Sequence, residues 1–396
     1  MTAPPPEMRP WADVDLDAVT HNLTAVADLI RPALVLAVVK ADAYGHGAVA
    51  VARAAAEAGA AMLGTASVAE GLALRRAGIS TPILVMGPAQ GEEDAAASAG
   101  LGITLFDDAS LRCAAEASEG GTPLRVHLKF DTGMTRLGFS PDRAEEVADR
   151  AAALGLAVEG VFTHFAAAED DAEFTRRQME RFAPAAQAVR ARFPEAIRHA
   201  AATAAALAYP DSRLDLIRLG LGLYGLLPAP HLASRIALRP AMTLWGKVAQ
   251  VRRISPGETV GYGRTFRAAA AEWIATVTIG YGDGYPRVLS GRGQFVAGGR
   301  RVPLVGRVSM EYVTVNLGAG NAAPAQPGDA VLVFGPGLPV EEVAEGASTI
   351  SYEILTSIAP RVRRIYRRGG RIVGMRDLLG ADGIAAPHAV AETHRT

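Results

Sequence analysis

Between residues 33 and 225 short apolar runs alternate with amphipathic stretches. The runs are Leu34–Val39, Ala61–Thr65, Ile83–Met86, Ile103–Phe106, Leu124–Lys129, Ala157–Thr163, Ile197–His199 and Leu214–Ile217. Most carry apolar residues at successive positions, the pattern of strands buried on both faces. Between them, segments such as Val68–Ala77 and Pro141–Leu154 repeat apolar residues at helical spacing. Regular β/α alternation predicts a parallel sheet, and eight repeats predict closure into a (β/α)8 barrel. The seventh run is alanine-rich on its far side and reads equally as the start of a helix.

After about Pro240 the period changes. Met242–Ile254, Glu272–Ile279, Arg301–Leu304, Val308–Asn316 and Ala330–Phe334 read as strands separated by Gly and Pro turns. Only Val340–Ala344 and Ser351–Ile358 read as helical. The expected fold class is therefore α/β plus β: a barrel over residues 17–238 and a mainly β domain over 239–378. Trp11–Leu16 alternates like a strand, so residues 1–16 are expected to pair with the C-terminal domain. Residues 379–396 show no periodicity and are expected to form a loosely ordered tail.

Composition narrows the classes of function. The chain has 396 residues, 49% hydrophobic and 20% charged, which supplies ample core for a globular protein. A net charge of −1 gives no electrostatic case for nucleic acid or an anionic membrane. No apolar stretch reaches the roughly 18 residues of a membrane span, and the first ten residues lack a signal-peptide apolar region. A cytoplasmic protein is expected. The single cysteine, Cys113, rules out an internal disulfide framework and any Cys-based zinc site; no metal is expected.

If the barrel forms, its chemistry belongs at the carboxyl ends of the strands. Lys40 ends the first strand and opens the turn Lys40-Ala-Asp-Ala-Tyr44-Gly-His-Gly47. An amine so placed becomes a nucleophile once burial or a neighbouring cation lowers its pKa. Strand five ends at Lys129 and runs into Asp131-Thr-Gly-Met-Thr-Arg136; strand six ends at Thr163-His164; strand seven leads to Thr203; strand eight ends at Arg218-Leu-Gly220-Leu221. Phosphate commonly sits on the loops after strands seven and eight. There Thr203 offers a hydroxyl, and Gly220 and Leu221 offer backbone N–H groups. A lysine at strand one facing such loops points to pyridoxal 5′-phosphate (PLP). Its pyridine nitrogen needs a partner, usually Asp or Arg. Arg218 only donates, so the nitrogen stays unprotonated, which disfavours transamination and favours direct proton exchange at Cα.

Gly220-Leu-Gly222-Leu-Tyr-Gly225 also matches G-x-G-x-x-G. It ends the eighth β/α unit instead of opening the first, and Arg239-Pro240 occupies the place of the ribose-binding acid, so a dinucleotide site is rejected.

The stretches AVVKADAYGHG, LKFDTGMTRLGF, THFA, RLGLGLYG, GYGDGYPR, GRVSME and SYEILTSIAPRVRRIY, with RPWADVDLDAVTHNL before them, resemble the bacterial alanine racemases in order and spacing over roughly residues 9–370. The resemblance implies a PLP-dependent homodimer with shared active sites, acting on L- and D-alanine and supplying D-alanine for peptidoglycan. It implies Lys40 as the cofactor lysine, Tyr44 as a phosphate ligand, and Tyr281 as a second acid/base serving the cofactor of the other subunit. It places His164 near the ring, linking Arg218 to Tyr281, with Arg136 and the Met310 backbone on the substrate carboxylate. Lys129 resembles the family lysine that is often carbamylated, and Tyr352 the residue lining access to the site and touching the phosphate. Lys40 then serves the D enantiomer and Tyr281 the L enantiomer. There are departures: Ala202 stands where the family usually has Asn, Asp42 where Asn is commoner, and Glu311 where Asp is commoner. Three rivals remain: a racemase of broader specificity, a barrel-type PLP decarboxylase, and a non-catalytic PLP-binding protein. The decarboxylases carry a catalytic cysteine in their C-terminal part, which this chain lacks. The PLP-binding proteins resemble the barrel alone.

Overall fold

The computed structural model describes residues 8–118 and 124–377. The chain forms two compact units. One comprises Ala18–Ala43 and Ala48–Arg239; the other comprises the N-terminal segment through Asp17, Tyr44–Gly47, and the chain from Pro240 onward.

In the first unit all eight expected strands are present: Leu34–Val38, Met62–Thr65, Ile83–Val85, Gly102–Leu105, Arg125–Lys129, Ala157–Phe162, Ile197–His199 and Leu216–Leu219. The first seven pair in parallel in chain order, and the eighth pairs with the first, with Leu34 opposite Leu216 and Ala37 opposite Leu219. Only the seam between strands seven and eight lacks a full ladder. There Arg218 N donates to Ala201 O at 3.0 Å, and Arg198 forks onto the Asp215 carboxylate at 2.8 and 2.9 Å. The result is a nearly closed (β/α)8 barrel. Ile197–His199 is a strand; the alanines that blurred it form the helix Thr203–Ala208 just beyond.

The outer helices follow from their sequences. Val68–Arg76 begins at Ser67, whose hydroxyl accepts from Glu70 N, and ends with Arg75 and Arg76 favourably placed at the negative end of the helix dipole. Its Val68, Gly71 and Leu74 share the buried face. Burying Leu74 stabilises by about 1.5–3 kcal/mol, and Leu74→Ala would cost about 2–5 kcal/mol.

The second unit is mainly β. Trp11–Asp15 lies between Met242–Ile254, antiparallel with Trp11 opposite Trp245, and Arg363–Arg368, parallel with Trp11 opposite Arg363. The long strand Met242–Ile254 continues past a bulge to pair with Glu272–Val277, which pairs in turn with Val313–Gly318. The strand expected from Val308 therefore starts only at Val313. Ser309 N and Tyr312 O close a turn at 3.0 Å, which leaves Met310 exposed. Gln294–Ala297, Arg363–Arg368, Arg371–Arg376 and the two-residue pair Thr259–Val260 and Phe266–Arg267 escaped the apolar pattern. Arg363–Arg368 and Arg371–Arg376 are crowded with arginines, yet Ile365 and Tyr366 are buried. The tail expected over 379–396 lies outside the described residues.

Candidate active site

The turn after the first strand has an unusual backbone. Ala41, Asp42, Ala43 and Tyr44 all adopt left-handed conformations, with φ between 50 and 55°. For non-glycine residues this costs about 1–2 kcal/mol each, so the surroundings must hold it. Glu70 does much of this: one carboxylate oxygen accepts Ala41 N at 2.8 Å and the other accepts Ala66 N at 2.7 Å. Asp42 Oδ1 accepts Ala48 N at 2.9 Å. At the head of this rigid turn Lys40 is half-buried and its amine makes no hydrogen bond among the described residues. Burial first, then the positive fields of Arg136 and Arg218, lower its pKa against the opposing pull of Glu70. The amine is a better nucleophile than an exposed lysine would be.

Arg218 is buried at the end of the eighth strand, 4% exposed, with no carboxylate partner among the described residues. Nη1 donates to His199 O at 3.2 Å and faces His199 Nδ1 at 3.0 Å. Nη2 reaches Thr163 O, Ala200 O and His164 Nδ1 at 2.8, 2.7 and 2.9 Å. Both terminal nitrogens are committed, and Nε alone has no partner among the described residues. Burial pushes Arg218 down to about 9, which still leaves it a cation at neutral pH. Burial, then Arg218, then Arg136 and the two lysines hold His164 well below the ordinary imidazole range, so it is neutral. Gln178 fixes the loop carrying His164 by donating to His164 O and accepting from Ala166 N.

Next to Arg218 the chain passes close against Thr203. Gly222 N donates to Thr203 Oγ1 at 3.2 Å, and a Cβ at Gly222 would sit 2.8 Å from Thr203 Cγ2. Thr203 Oγ1 and the backbone of Gly220–Gly222 thus form a small cradle. Ala202, half-buried, brings no polar group to it. Lys129, 5% exposed, donates to Leu137 O at 2.7 Å, and burial, Arg136 and Arg218 push it down to about 8 in spite of Asp131. Asp131 organises the loop that carries Arg136, accepting from Gly133 N, Met134 N and Arg136 N at 2.8, 2.9 and 3.1 Å. Burial opposes the Asp131 charge, but the backbone N–H groups outweigh it and keep the carboxyl low. The Arg136 side chain is exposed.

In the second unit Tyr44 is buried and its ring meets that of Tyr352 at 5.7 Å. Burial, then Tyr352, raises the Tyr44 phenol, so it is a neutral donor at any physiological pH. Arg364, 1% exposed, holds this loop by donating to Gly45 O at 3.0 Å and to the carbonyls of Ile358, Ala359 and Val362. Tyr281 and Met310 lie on neighbouring turns and are both exposed, at 43% and 53%. Tyr281 N donates to Ser309 O and Gly282 N to Met310 O. Asp283, buried, accepts Gly280 N at 3.0 Å and Arg361 Nε at 2.8 Å, while the two Arg361 terminal nitrogens fork onto Glu311 at 3.1 and 3.0 Å. Arg361 therefore clamps the Tyr281 turn to the Met310 loop. The longer Glu311 also reaches Arg9 at 3.1 Å.

The first unit thus gathers Lys40, Lys129, Arg136, His164, Thr203, Arg218, Gly220 and Leu221 at its strand ends. The second carries Tyr44, Tyr281, Met310 and Tyr352. Sequence reasoning missed Glu70, His127, Asp131, Gln178, Arg361 and Arg364, which act on backbone or on other side chains. Glu70 had a signal: Ser67-Val-Ala-Glu70 is a helix-start pattern. So did His127, two residues before Lys129 and hence on the same strand face.

Comparison with known proteins bears on these sites. Residues 14–228 match the family model of the alanine racemase N-terminal domain, and residues 241–366 that of the alanine racemase C-terminal domain. An alanine racemase of Symbiobacterium thermophilum is 43% identical over 369 residues, covering 91% of this chain and 97% of the relative. One from Desulforamulus reducens is 41% identical, covering 90% and 98%. Among solved structures, alanine racemase from Bacillus anthracis with bound L-Ala-P superposes with a TM-score of 0.87 at 35% identity, covering 95% of this chain and 99% of that one. That of Streptomyces lavendulae gives 0.86 at 37% identity, covering 92% and 98%.

Proposed function

This chain belongs to the alanine racemase family and its reaction is the interconversion of L- and D-alanine; we propose that it works with PLP, in a homodimer that shares its active sites. Residues 17–238 would hold the cofactor and residues 239–378 would supply Tyr281. The side chains present fit PLP. An amine of lowered pKa without a hydrogen bond, Lys40, suits the aldehyde. The Thr203 hydroxyl and the N–H groups of Gly220 and Leu221 suit the phosphate, and the family resemblance adds Tyr44 and Tyr352 as further phosphate ligands. The carrying observation is Arg218: four of its five N–H groups are taken, and the free Nε is a donor suited to the ring nitrogen. When bound, PLP withdraws electrons from the amino-acid Cα and makes its proton acidic.

The protein then has to move that proton between two faces. Lys40 removes or returns it on the D face; the Tyr281 side-chain oxygen does so on the L face of the site in a second copy. His164, kept neutral and fixed by Arg218, connects that tyrosine to the guanidinium. Arg136 and the Met310 backbone hold the substrate carboxylate. Lys129, lowered to about 8, has enough neutral amine to add CO2, giving a carbamate and a released proton; the anion would pair with Arg136. A donor at the ring nitrogen, with no acid to protonate it, restrains electron withdrawal and keeps the reaction on proton exchange. The homodimer is supported by large apolar side chains left exposed on the second unit, among them Tyr262, Tyr281, Val288, Met310, Tyr312 and Ile350. No described helix is long and apolar enough to cross a membrane. A cytoplasmic role supplying D-alanine for peptidoglycan is the family expectation.

Optical rotation of L-alanine, followed with and without PLP, tests the reading. Decay to zero only with PLP is the expected result. PLP binding without decay would leave a non-catalytic binding protein, and CO2 release would indicate a decarboxylase. The same assay over a panel of L-amino acids decides between alanine and a broader substrate range, since one methylene is worth only about 1–3 kcal/mol of discrimination.

A further inference from the structure

Two imidazoles, His164 and His199, meet Arg218 and a third, His127, lies behind His199; only His164 has a part in the reaction described above. His199 and His127 are both fully buried. His199 Nδ1 lies 3.0 Å from Arg218 Nη1, and its Nε2 lies 2.9 Å from His127 Nδ1. Phe162 stacks on His199 at 4.6 Å, and Arg218 lies 5.3 Å over the same phenyl ring. His127 owes its place to the neighbouring strand: it sits opposite Gly160, and any Cβ there would collide with its ring.

A guanidinium has only donors, so hydrogen bonding in this chain runs one way. His199 must present a lone pair at Nδ1, and the neutral ring then carries its proton on Nε2. That proton points at His127 Nδ1, which must also be a lone pair. His127 therefore carries its proton on Nε2, where it is buried without a partner. A leucine at 127 would only move the orphan to the buried His199 Nε2–H, so the count of unpaired buried donors does not account for the histidine.

We propose that His127 and His199 are positioning residues for Arg218: their locked tautomers give Nη1 a permanent acceptor and hold Nε toward the cofactor ring nitrogen. The idea rests on the PLP reading only for what Nε meets; the tautomers belong to the chain itself. Burial and the Arg218 charge keep both rings neutral, so protonation does not undo the arrangement near neutral pH. Arg125 adds positive charge beside His127 and acts in the same direction.

Long-range proton–nitrogen NMR on the chain labelled with 15N-histidine, with and without PLP, reads the tautomers directly. Both buried rings are expected as neutral Nε2–H forms in either state. An Nδ1–H form or an imidazolium at either position overturns the proposal. His127→Gln keeps an acceptor for His199 and His127→Leu does not. The Leu variant is expected to lose about tenfold in kcat, the lower end of what outer-layer partners contribute, with KM for L-alanine within about twofold and more pyruvate released. The Gln variant should recover most of that loss. Wild-type kcat in the Leu variant, or a Gln variant as impaired as Leu, would reduce the pair to packing and sink the idea. If the Leu variant does not fold, the spectra of the unsubstituted chain still decide. Failure of the PLP reading would show separately, as absent racemisation by that same unsubstituted chain.

Discussion

Lys129→Met tests the electrostatics at the end of the fifth strand most sharply. Lys129 is 5% exposed and falls from its ordinary 10.5 to about 8. At about 1.36 kcal/mol per pH unit, this corresponds to about 3 kcal/mol. The sign follows from proton counting. Below about pH 8 the lysine is charged in both folded and unfolded chains, and the folded state carries the full cost of burying it. Between about 8 and 10.5 the folded amine is neutral while the unfolded one is still protonated, so stability rises with pH. Methionine has similar volume and no charge. It forgoes the hydrogen bond to Leu137 O, a loss of about 1–3 kcal/mol, so at pH 7 the variant should be more stable by up to about 2 kcal/mol. The pH dependence is the firmer prediction because the lost hydrogen bond cancels from it. From about pH 8 to about pH 9.5 the advantage of the methionine variant should shrink by about 2 kcal/mol. Urea unfolding in CO2-free buffer measures both values. A difference between variant and parent that stays flat across this range would refute the depressed pKa. Added bicarbonate should stabilise the parent alone, through the carbamate.

Arg218→Glu would set an accepting carboxylate at the ring nitrogen and favour that nitrogen's protonation; racemisation should fall by about 10²-fold or more and pyruvate release should rise, and an unchanged product profile would contradict the Arg218 assignment. In Gly222→Ala the new Cβ, 2.8 Å from Thr203 Cγ2, costs about 1–3 kcal/mol of overpacking, so PLP affinity, followed by fluorescence, should drop roughly tenfold. Ala41 is exposed at φ 50°. Ala41→Gly should leave stability unchanged or raise it by up to about 1 kcal/mol, while Ala41→Val should lower it by about 1–3 kcal/mol. Thermal unfolding of the pair reads the strain in the Lys40 turn.

How far the sequence could be read depended on what each residue acts upon. The barrel strands were legible because a run such as Leu34–Val39 is apolar on both faces. Arg363–Arg368 was not, because its arginines hide the two buried residues that make it a strand. Lys40 and Arg218 were legible because their residue types sit at strand ends, where chemistry is expected. The left-handed turn between Lys40 and Gly45 was hidden, since no glycine marks Ala41–Tyr44 and the device that sustains it, Glu70, lies on another β/α unit. Nor did the pattern reveal that Tyr44–Gly47 packs with the C-terminal unit, where Arg364 collects the Gly45 carbonyl. The clamp of Arg361 on Asp283 and Glu311 joins residues far apart in the chain, which no local spacing can announce.

The central claim is that the Cα proton is exchanged by two different groups, Lys40 on one face and Tyr281 on the other. Tyr281→Phe in D2O tests it, with Cα deuterium uptake and optical rotation followed together for each enantiomer. The account predicts that racemisation is lost, that PLP stays bound, and that D-alanine still exchanges its Cα hydrogen through Lys40 whereas L-alanine does not. Normal racemisation by this variant, or equal exchange into both enantiomers, would contradict it.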